Sequence, residues 1–373
     1  MNSILSIVPY RILPPVNGGK LTITEMHHHL GQLCRDTIAG TADNDDNTNY
    51  AFRLHKIFST SKLRYLPFSG YAKLLQIAHE NAVNYIHTEH HYMGFKALKL
   101  ARALSIPCFI RSHNIESERF KSLGKSWWPI MRWYERYVMR KADGVFFITP
   151  EDAQWAIHNY QLQPSKCHFI PHGTPLAAAP FNHTEKKQEL SKALNLDGHI
   201  PWLYFLGALD YPPNNNAIVY ILDEILPRLD AQGCKYQLLI AGKGLSPSLQ
   251  QRISALPQAR YVGFVPNLND FLTACDIMLN PVMTGGGIKT KAVEALAYNK
   301  IVLSSAAGAA GLAPGVCGDN LHIIPDYDWN RFAEKLLSVM RTNPTIPQDF
   351  YNTYNWNKIA ERMLQIMSST TVR

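Results

Sequence analysis

The feature that most constrains this chain is a rhythm that runs through it twice. Short runs rich in β-branched and aromatic residues, closed by Gly, Pro or Asn, alternate with amphipathic helical stretches. Such alternation predicts parallel sheets flanked by helices. In the first half the expected strands are Ser3–Val8, Ala82–His87, Pro107–Arg111, Gly144–Thr149 and Cys167–Ile170. Helices are expected over Lys20–Leu33, Tyr71–Glu80, Met93–Leu104, Ser126–Lys141 and Pro150–Tyr160. A fresh series of strands follows at Trp202–Leu206, Tyr236–Ala241, Ala259–Val262, Asp276–Asn280, Ile301–Ser304 and Leu321–Ile324. Between the two, Pro171–Leu196 breaks the rhythm with Pro-His-Gly-Thr-Pro and Ala-Ala-Ala-Pro, as a hinge does. At 373 residues the chain exceeds one ordinary core. The fold class expected is therefore α/β, with domains at 1–172 and 173–354 and a terminal helix, about 355–373, able to pack back on the first. Two parallel α/β domains place a ligand in the cleft at the carboxyl ends of their strands.

The net charge of +8 calls for an anionic partner: nucleic acid, a membrane surface or a phosphorylated small molecule. No RNP-like, zinc-finger or helix-turn-helix signature is present, so nucleic acid is not expected. No apolar run approaches the ~20 residues that span a bilayer. Met1–Tyr10 lacks the basic region and cleavage site of a leader peptide and reads as a first buried strand. The six cysteines are scattered without a Cys-x-x-Cys pair, which suits small core residues in a reducing, cytoplasmic setting.

The richest constellation follows the strand at 276–280. A loop ends in Gly285-Gly286-Gly287 and leads into an expected helix, Ile288–Tyr298, with Lys289 and Lys291 in its first turn and Glu294 behind them. Glycines let backbone N–H groups approach a ligand, and a helix N-terminus favours anions. Cations there oppose the helix dipole by up to about 1 kcal/mol each. That cost is sensible where a pyrophosphate sits, although an exposed Lys291–Glu294 pair beside a loop would look the same. The spacing is neither a Walker A loop nor a dinucleotide fingerprint.

Residues 285–305, Gly-Gly-Gly-Ile-Lys-Thr-Lys-Ala-Val-Glu-Ala-Leu-Ala-Tyr-Asn-Lys-Ile-Val-Leu-Ser-Ser, closely resemble the donor-binding segment of retaining GT-B glycosyltransferases, the family 4-like "group 1" enzymes. The resemblance covers nearly the whole chain. Phe205–Asn214, Ala241–Gly244, Val262–Val265 and Asp276–Pro281 fall in the expected order, and Ile170-Pro171-His172-Gly173 resembles the hinge motif. It implies two Rossmann-like domains facing each other across a cleft. It further implies a nucleotide-sugar donor and a hydroxyl acceptor, lipid-linked in many such enzymes, with no cofactor and no essential metal. Lys291 and Glu294 would act at the donor diphosphate and ribose. Gly207, Lys243, Phe264, Val265, Gly286, Gly287, Ile288 and Lys289 would complete the donor site on this side. Three departures stand out: Gly286 occupies the place of a sugar-binding acid, Ala208 that of an Arg, and Asn214 or a neighbour that of a Lys. The usual Gly-x-Pro is Asn299-Lys300-Ile301.

On the first-domain side, Gly18 and Gly19 open a helix where the resemblance places donor phosphate and acceptor; by themselves they suit a strand-to-helix turn. His113 ends the strand Phe109–Ser112 and resembles the family's sugar-contacting His, counted here with Lys291 and Glu294 as catalytic, though not as a general base. A lone His is more often structural. The runs His27-His28-His29 and His87-Thr88-Glu89-His90-His91 lack zinc spacing, and neighbours on a helix point apart, so no metal is expected. The second run lies after a strand end, which suits either contact with the acceptor or an ordinary polar loop. Residues 119–141 interleave Arg119, Lys121, Lys125, Arg132, Arg136, Arg140 and Lys141 with Trp127, Trp128, Trp133 and Tyr134. That mixture suits an anionic membrane, hence the inner membrane face, or else a helix with an aromatic core face. The expectation is a retaining hexosyltransferase of polysaccharide or lipid-linked precursors. The rivals are a catalytically silent GT-B subunit and a GT-B-like sugar-nucleotide epimerase, the latter needing acid/base carboxylates in the cleft.

Overall fold

The first strand, Ser-Ile-Leu-Ser-Ile, is apolar on both faces, and all five of its residues are buried. Only the interior of a sheet covered by helices on both sides accommodates such a strand. The computed structural model describes residues 2–16, 18–46, 49–285 and 287–370. The chain divides into two units, Met1–Pro175 with Tyr354–Arg373, and Leu176–Thr353.

The first unit holds seven strands among the described residues: β1 (Ser3–Ile7), β2 (Arg35–Thr41), β3 (Arg53–Phe58), β4 (Tyr85–Glu89), β5 (Cys108–Ser112), β6 (Gly144–Phe147) and β7 (Cys167–Phe169). They form one sheet in the order β3-β2-β1-β4-β5-β6-β7, and every pairing is parallel. The second unit holds β8 (Trp202–Leu206), β9 (Gln237–Ala241), β10 (Ala259–Gly263), β11 (Ile277–Asn280), β12 (Ile301–Ser305) and β13 (Leu321–Ile324). Their order is β10-β9-β8-β11-β12-β13, again all parallel. Both are doubly wound, Rossmann-like sheets. In each, the order reverses beside the first strand, between β1 and β4 and between β8 and β11, where such sheets bind ligands.

Strands β2 and β3 were not among those expected. Arg-Asp-Thr-Ile-Ala-Gly-Thr and Arg-Leu-His-Lys-Ile-Phe carry too few β-branched apolar residues in sequence to announce themselves. The pairing of β2 with β1, and of β3 with β2, supplies what propensity lacks.

The terminal helix Trp356–Ser369 belongs to the first unit. Trp356, Ile359, Ala360, Met363 and Met367, at helical spacing, pack against Ile4, Met26, Leu30, Phe109 and Phe146. The Asn355 side chain caps it by accepting from the Asn357 and Lys358 amides. Thr174 pairs with this end of the chain: its amide donates to Tyr354 O at 2.7 Å, and its carbonyl accepts from the Trp356 amide at 3.0 Å. A side chain at Gly173 would meet Trp356 at 2.6 Å, so glycine is required for the close approach. In the second unit Leu203, Phe205, Leu238, Ile240, Ile277, Leu279 and Leu303 of the sheet pack on Ile218, Ile225, Phe332 and Leu336 of the helices.

Candidate functional site

The residues expected to form a donor site in the second unit follow the carboxyl ends of four neighbouring strands. Gly207 follows β8, Lys243 follows β9, Phe264 and Val265 follow β10, and the glycine loop follows β11. Gly286 lies outside the described residues. Gly285 and Gly287 have φ of +99° and +69°, backbone that side chains disfavour. The helix that follows is Thr290–Ala297, two residues shorter at its start than the sequence predicts. Ile288 and Lys289 therefore precede it. Lys289 is the N-cap residue (φ −84°, ψ 95°) and not part of the first turn. Its Nζ donates to the carbonyls of Gly285 at 2.7 Å and Gly287 at 3.0 Å, which folds the glycine loop around an ammonium group.

Lys291 is held differently. Its Nζ donates to Asn214 Oδ1 at 2.9 Å and lies 3.9 Å from the centre of the Phe205 ring. Asn214 in turn donates to the Ala208 carbonyl at 2.9 Å, so two of the positions that depart from the family pattern make one support for this lysine. Burial, with the charge of Lys289 adding to it, pushes the Lys291 amine down to about 7. Burial lowers Lys289 to about 8 and raises the Glu294 carboxyl to about 7. Two amines whose charge is suppressed by burial gain most from an incoming anion, which restores that charge.

The wall beyond is shaped by close backbone packing. At Gly242 (φ +132°) an added Cβ would sit 1.8 Å from the Gly207 carbonyl oxygen. Lys243 Nζ lies 4.2 Å from the centre of the Phe264 ring, which is 61% exposed, and Val265 is half-buried beside it. A flat, exposed ring with a cation on it can receive a nucleobase. Sequence reasoning missed Tyr211, whose hydroxyl lies 3.5 Å from where a Cβ on Gly285 would stand. Its only sequence signal was the place ahead of Pro212-Pro213.

In the first unit, His113 follows β5 and is 7% exposed. Its Nε2 lies 2.5 Å from Oε2 of Glu89, the last residue of β4, and its ring stacks on His90 with centroids 4.0 Å apart. Glu89 is fully buried; its Oε1 lies 3.4 Å from Arg111 Nη1 and 3.3 Å from His27 Nε2. His27 Nδ1 in turn meets Asp36 Oδ2 at 2.6 Å. Although burial opposes both shifts, Asp36 and Glu89 raise His27 to about 9, and Arg111, His113 and His27 hold the Glu89 carboxyl well below the usual range. Burial lowers His113 despite its carboxylate partner. Gly18 and Gly19 open the helix Gly18–Leu33, two residues before the predicted start. The Gly18 carbonyl accepts from Thr22 Oγ1 at 2.7 Å, and that oxygen lies 2.6 Å from His172 Nδ1.

One histidine from each run, His27 and His87, joins Glu89 with ligand atoms all within 4.8 Å of one another, a set that could hold a metal ion. Treating each run separately hid this, because the partners lie on different elements. The surroundings are already balanced, with two carboxylates, Asp36 and Glu89, facing Arg111 and a protonated His27. A dication would enter beside a guanidinium. The arrangement fits an ion network better than a metal centre.

Two family models match, "Glycosyltransferase Family 4" over residues 16–178 and "Glycosyl transferases group 1" over residues 200–342. A curated relative, the alpha-monoglucosyldiacylglycerol synthase of Streptococcus pneumoniae, is 26% identical over 217 residues, 55% of this chain. The match spans about half of that relative's length, 47%. Among solved structures, Anabaena Alr3699/HepE in complex with UDP superposes with a TM-score of 0.73 at 17% identity, covering 98% of this chain and 100% of that one. A glycosyltransferase from Rickettsia africae gives 0.72 at 15% identity, covering 98% of each chain.

Proposed function

Because the chain belongs to the GT-B glycosyltransferases of the group 1 and family 4 type, we propose that it moves a sugar from a nucleotide-sugar to a hydroxyl acceptor with retention of configuration. The observation that carries this reading is the placement of two lysines at the helix start, Lys289 against the carbonyls of Gly285 and Gly287 and Lys291 between Asn214 and the Phe205 ring. As the glycosidic bond to phosphate lengthens, negative charge builds on the leaving diphosphate. Cations fixed beforehand stabilise that charge more than they stabilise the intact donor, which is what lowers a barrier. The lysines supply this charge, so the proposal includes no essential metal. Glu294 is the acceptor we assign to the nucleotide ribose hydroxyls, with Phe264 and Val265 beside the base. UDP is the first diphosphate to test, since the Anabaena protein was solved with it.

The test is incubation with a panel of nucleotide-sugars and acceptors, scored for donor consumption. Turnover of one donor supports the reading, and inversion at the anomeric carbon of the product removes retention from it. Nucleotide binding without turnover across the panel replaces the transferase with a silent GT-B subunit.

A lipid-linked acceptor is part of the proposal, supported by the surface of helix Trp128–Lys141. This helix buries Glu135, Val138 and Met139 and leaves Ile130 71% and Trp133 62% exposed, with Arg140 and Lys141 exposed alongside. Tyr134 packs on the core, whereas Trp133 faces away from it. Among the described residues no helix is long and apolar enough to cross a membrane. Basic residues at an anionic surface contribute about 1 kcal/mol each, and inserted aromatics add to this. The protein is expected to float with vesicles containing phosphatidylglycerol and not with pure phosphatidylcholine. Ile130→Ser combined with Trp133→Ser should abolish flotation, and equal flotation with both vesicle types would refute the charge component.

A further inference from the structure

The buried network behind His113 asks a question that glycosyl transfer alone does not answer. The imidazole has two nitrogens, and which one carries the proton decides whether it offers a substrate a donor or an acceptor. We propose that Glu89 is a positioning residue that fixes His113 as the Nε2–H tautomer, so that the Nδ1 lone pair is the atom presented to a hydroxyl of the sugar substrate. This rests on the transferase reading for the identity of the substrate, but not for the tautomer.

Three observations carry it. First, Glu89 meets a guanidinium at 3.4 Å and His27 at 3.3 Å through Oε1 and His113 Nε2 at 2.5 Å through Oε2. A carboxylate in such company is ionised and can only accept, so Nε2 must be the donating nitrogen. Second, His113 Nδ1 has no hydrogen-bond partner among the described residues and is not among the buried unsatisfied atoms, whereas His90 Nδ1 and His87 Nε2 are. The nitrogen opposite Glu89 is therefore the one left open.

Third, the ring plane is locked at a cost. His90 lies flat on His113, 4.0 Å between centroids with planes 16° apart, and its Nε2 lies 2.6 Å from the Tyr10 hydroxyl. To place it there the backbone at His90 takes φ 62° and ψ 158°, a region populated almost only by glycine. Its amide donates to Arg111 O at 2.9 Å, and its carbonyl accepts from Thr88 Oγ1 at 3.0 Å. A histidine serving only to fill the core needs neither an ionised partner nor a strained neighbour.

Arg111 and His27 keep Glu89 ionised, and Asp36 keeps His27 protonated by accepting from its Nδ1–H, so the chain of contacts runs Asp36–His27–Glu89–His113. No proton need move along it during transfer. Its effect is to make one tautomer and one ring orientation dominant before substrate arrives, which is the preorganisation on which precise hydroxyl contacts depend.

The experiment uses the full chain labelled with 15N-histidine, the His113 resonance being assigned by its loss in His113→Asn. The expected spectrum shows His113 protonated at Nε2 and unprotonated at Nδ1. In Glu89→Gln that single tautomer should give way to a mixture, with kcat falling about tenfold or more while the donor KM stays within about twofold. A second pair leaves the buried Glu89 in place. His113→Asn places an amide oxygen near the old Nδ1, and His113→Gln places its amide near the old Nε2. The Asn variant should retain about tenfold more kcat/KM than the Gln variant, with UDP affinity equal in both. An Nδ1–H tautomer, Gln equal to or better than Asn, or a metal equivalent retained by the purified protein and lost in His87→Ala would overturn the proposal. If the wild type turns over no donor, the transferase reading fails, while the spectrum still decides the tautomer.

Discussion

Lys291→Ala is expected to weaken UDP binding by roughly 30- to 100-fold, the equivalent of about 2–3 kcal/mol for a lost charge-assisted contact. The amine lies between Asn214 Oδ1 and the Phe205 ring, where burial holds it near 7 in the free protein. A diphosphate stabilises the protonated amine, so binding above that value must draw in a proton. The sign is fixed by these directions. Lys291 and Lys289 lose charge as pH rises through about 7 and about 8, and Glu294 gains negative charge as pH rises through about 7. All three changes oppose an anion, so UDP affinity should fall between pH 7.5 and 9, roughly tenfold per pH unit at most for each proton taken up. Titration calorimetry in two buffers of different ionisation enthalpy reads both effects, and in Lys291→Ala the proton uptake should shrink along with the affinity. Lys291→Arg should not restore binding, because a planar guanidinium does not fit the support built for a compact ammonium. Unchanged affinity in the alanine variant would remove the phosphate role from this lysine.

Glu89→Ala should be among the most destabilising substitutions in the first unit, costing about 3–5 kcal/mol. Among the described residues, the methyl group leaves the buried Arg111 side chain with only the Pro171 carbonyl at 3.3 Å as a hydrogen-bond partner, and leaves His27 with Asp36 alone. Thermal unfolding followed by circular dichroism should show a transition about 10 °C lower, given a few degrees per kcal/mol in a unit of this size. In the wild type the His27 share of stability is fully present below pH 6.5 and is lost as pH rises through about 9, since its folded value is raised. The Glu89 share behaves oppositely: its carboxyl is depressed, so its contribution is lost as pH falls below the ordinary carboxylate range. A transition in Glu89→Ala within a degree or two of wild type would show that the network carries no such load.

The inner strands were legible because each is a short apolar run flanked by turn residues; β1, β6 and β11 are buried at every position. The glycine loop was legible for a similar reason, since three consecutive glycines before a helix have few uses. The start of that helix was not. Lys289 is an extended N-cap without a side-chain cap bond, and nothing in Ile-Lys-Thr-Lys distinguishes the residue before a helix from the first within it. Strands β2 and β3 were hidden by polar composition, as above. The ends of the His27–Glu89–His113 network lie 86 positions apart in the sequence, and spacing rules act only within an element, so neither histidine run announced it.

By itself the sequence determined that two parallel α/β units would form and that a glycine turn leading into a helix would follow β11. The physical reason is that apolar periodicity and glycine conformational freedom are local properties, written in neighbouring residues. The tertiary structure alone decided what the polar groups do. Glu89 is ionised because β4, β5 and the helix Gly18–Leu33 bring Arg111, His113 and His27 to it. Lys291 and Glu294 titrate near neutrality because packing removes water from them. Charge state depends on what surrounds a group in space, and the pattern of residues along the chain does not record those surroundings.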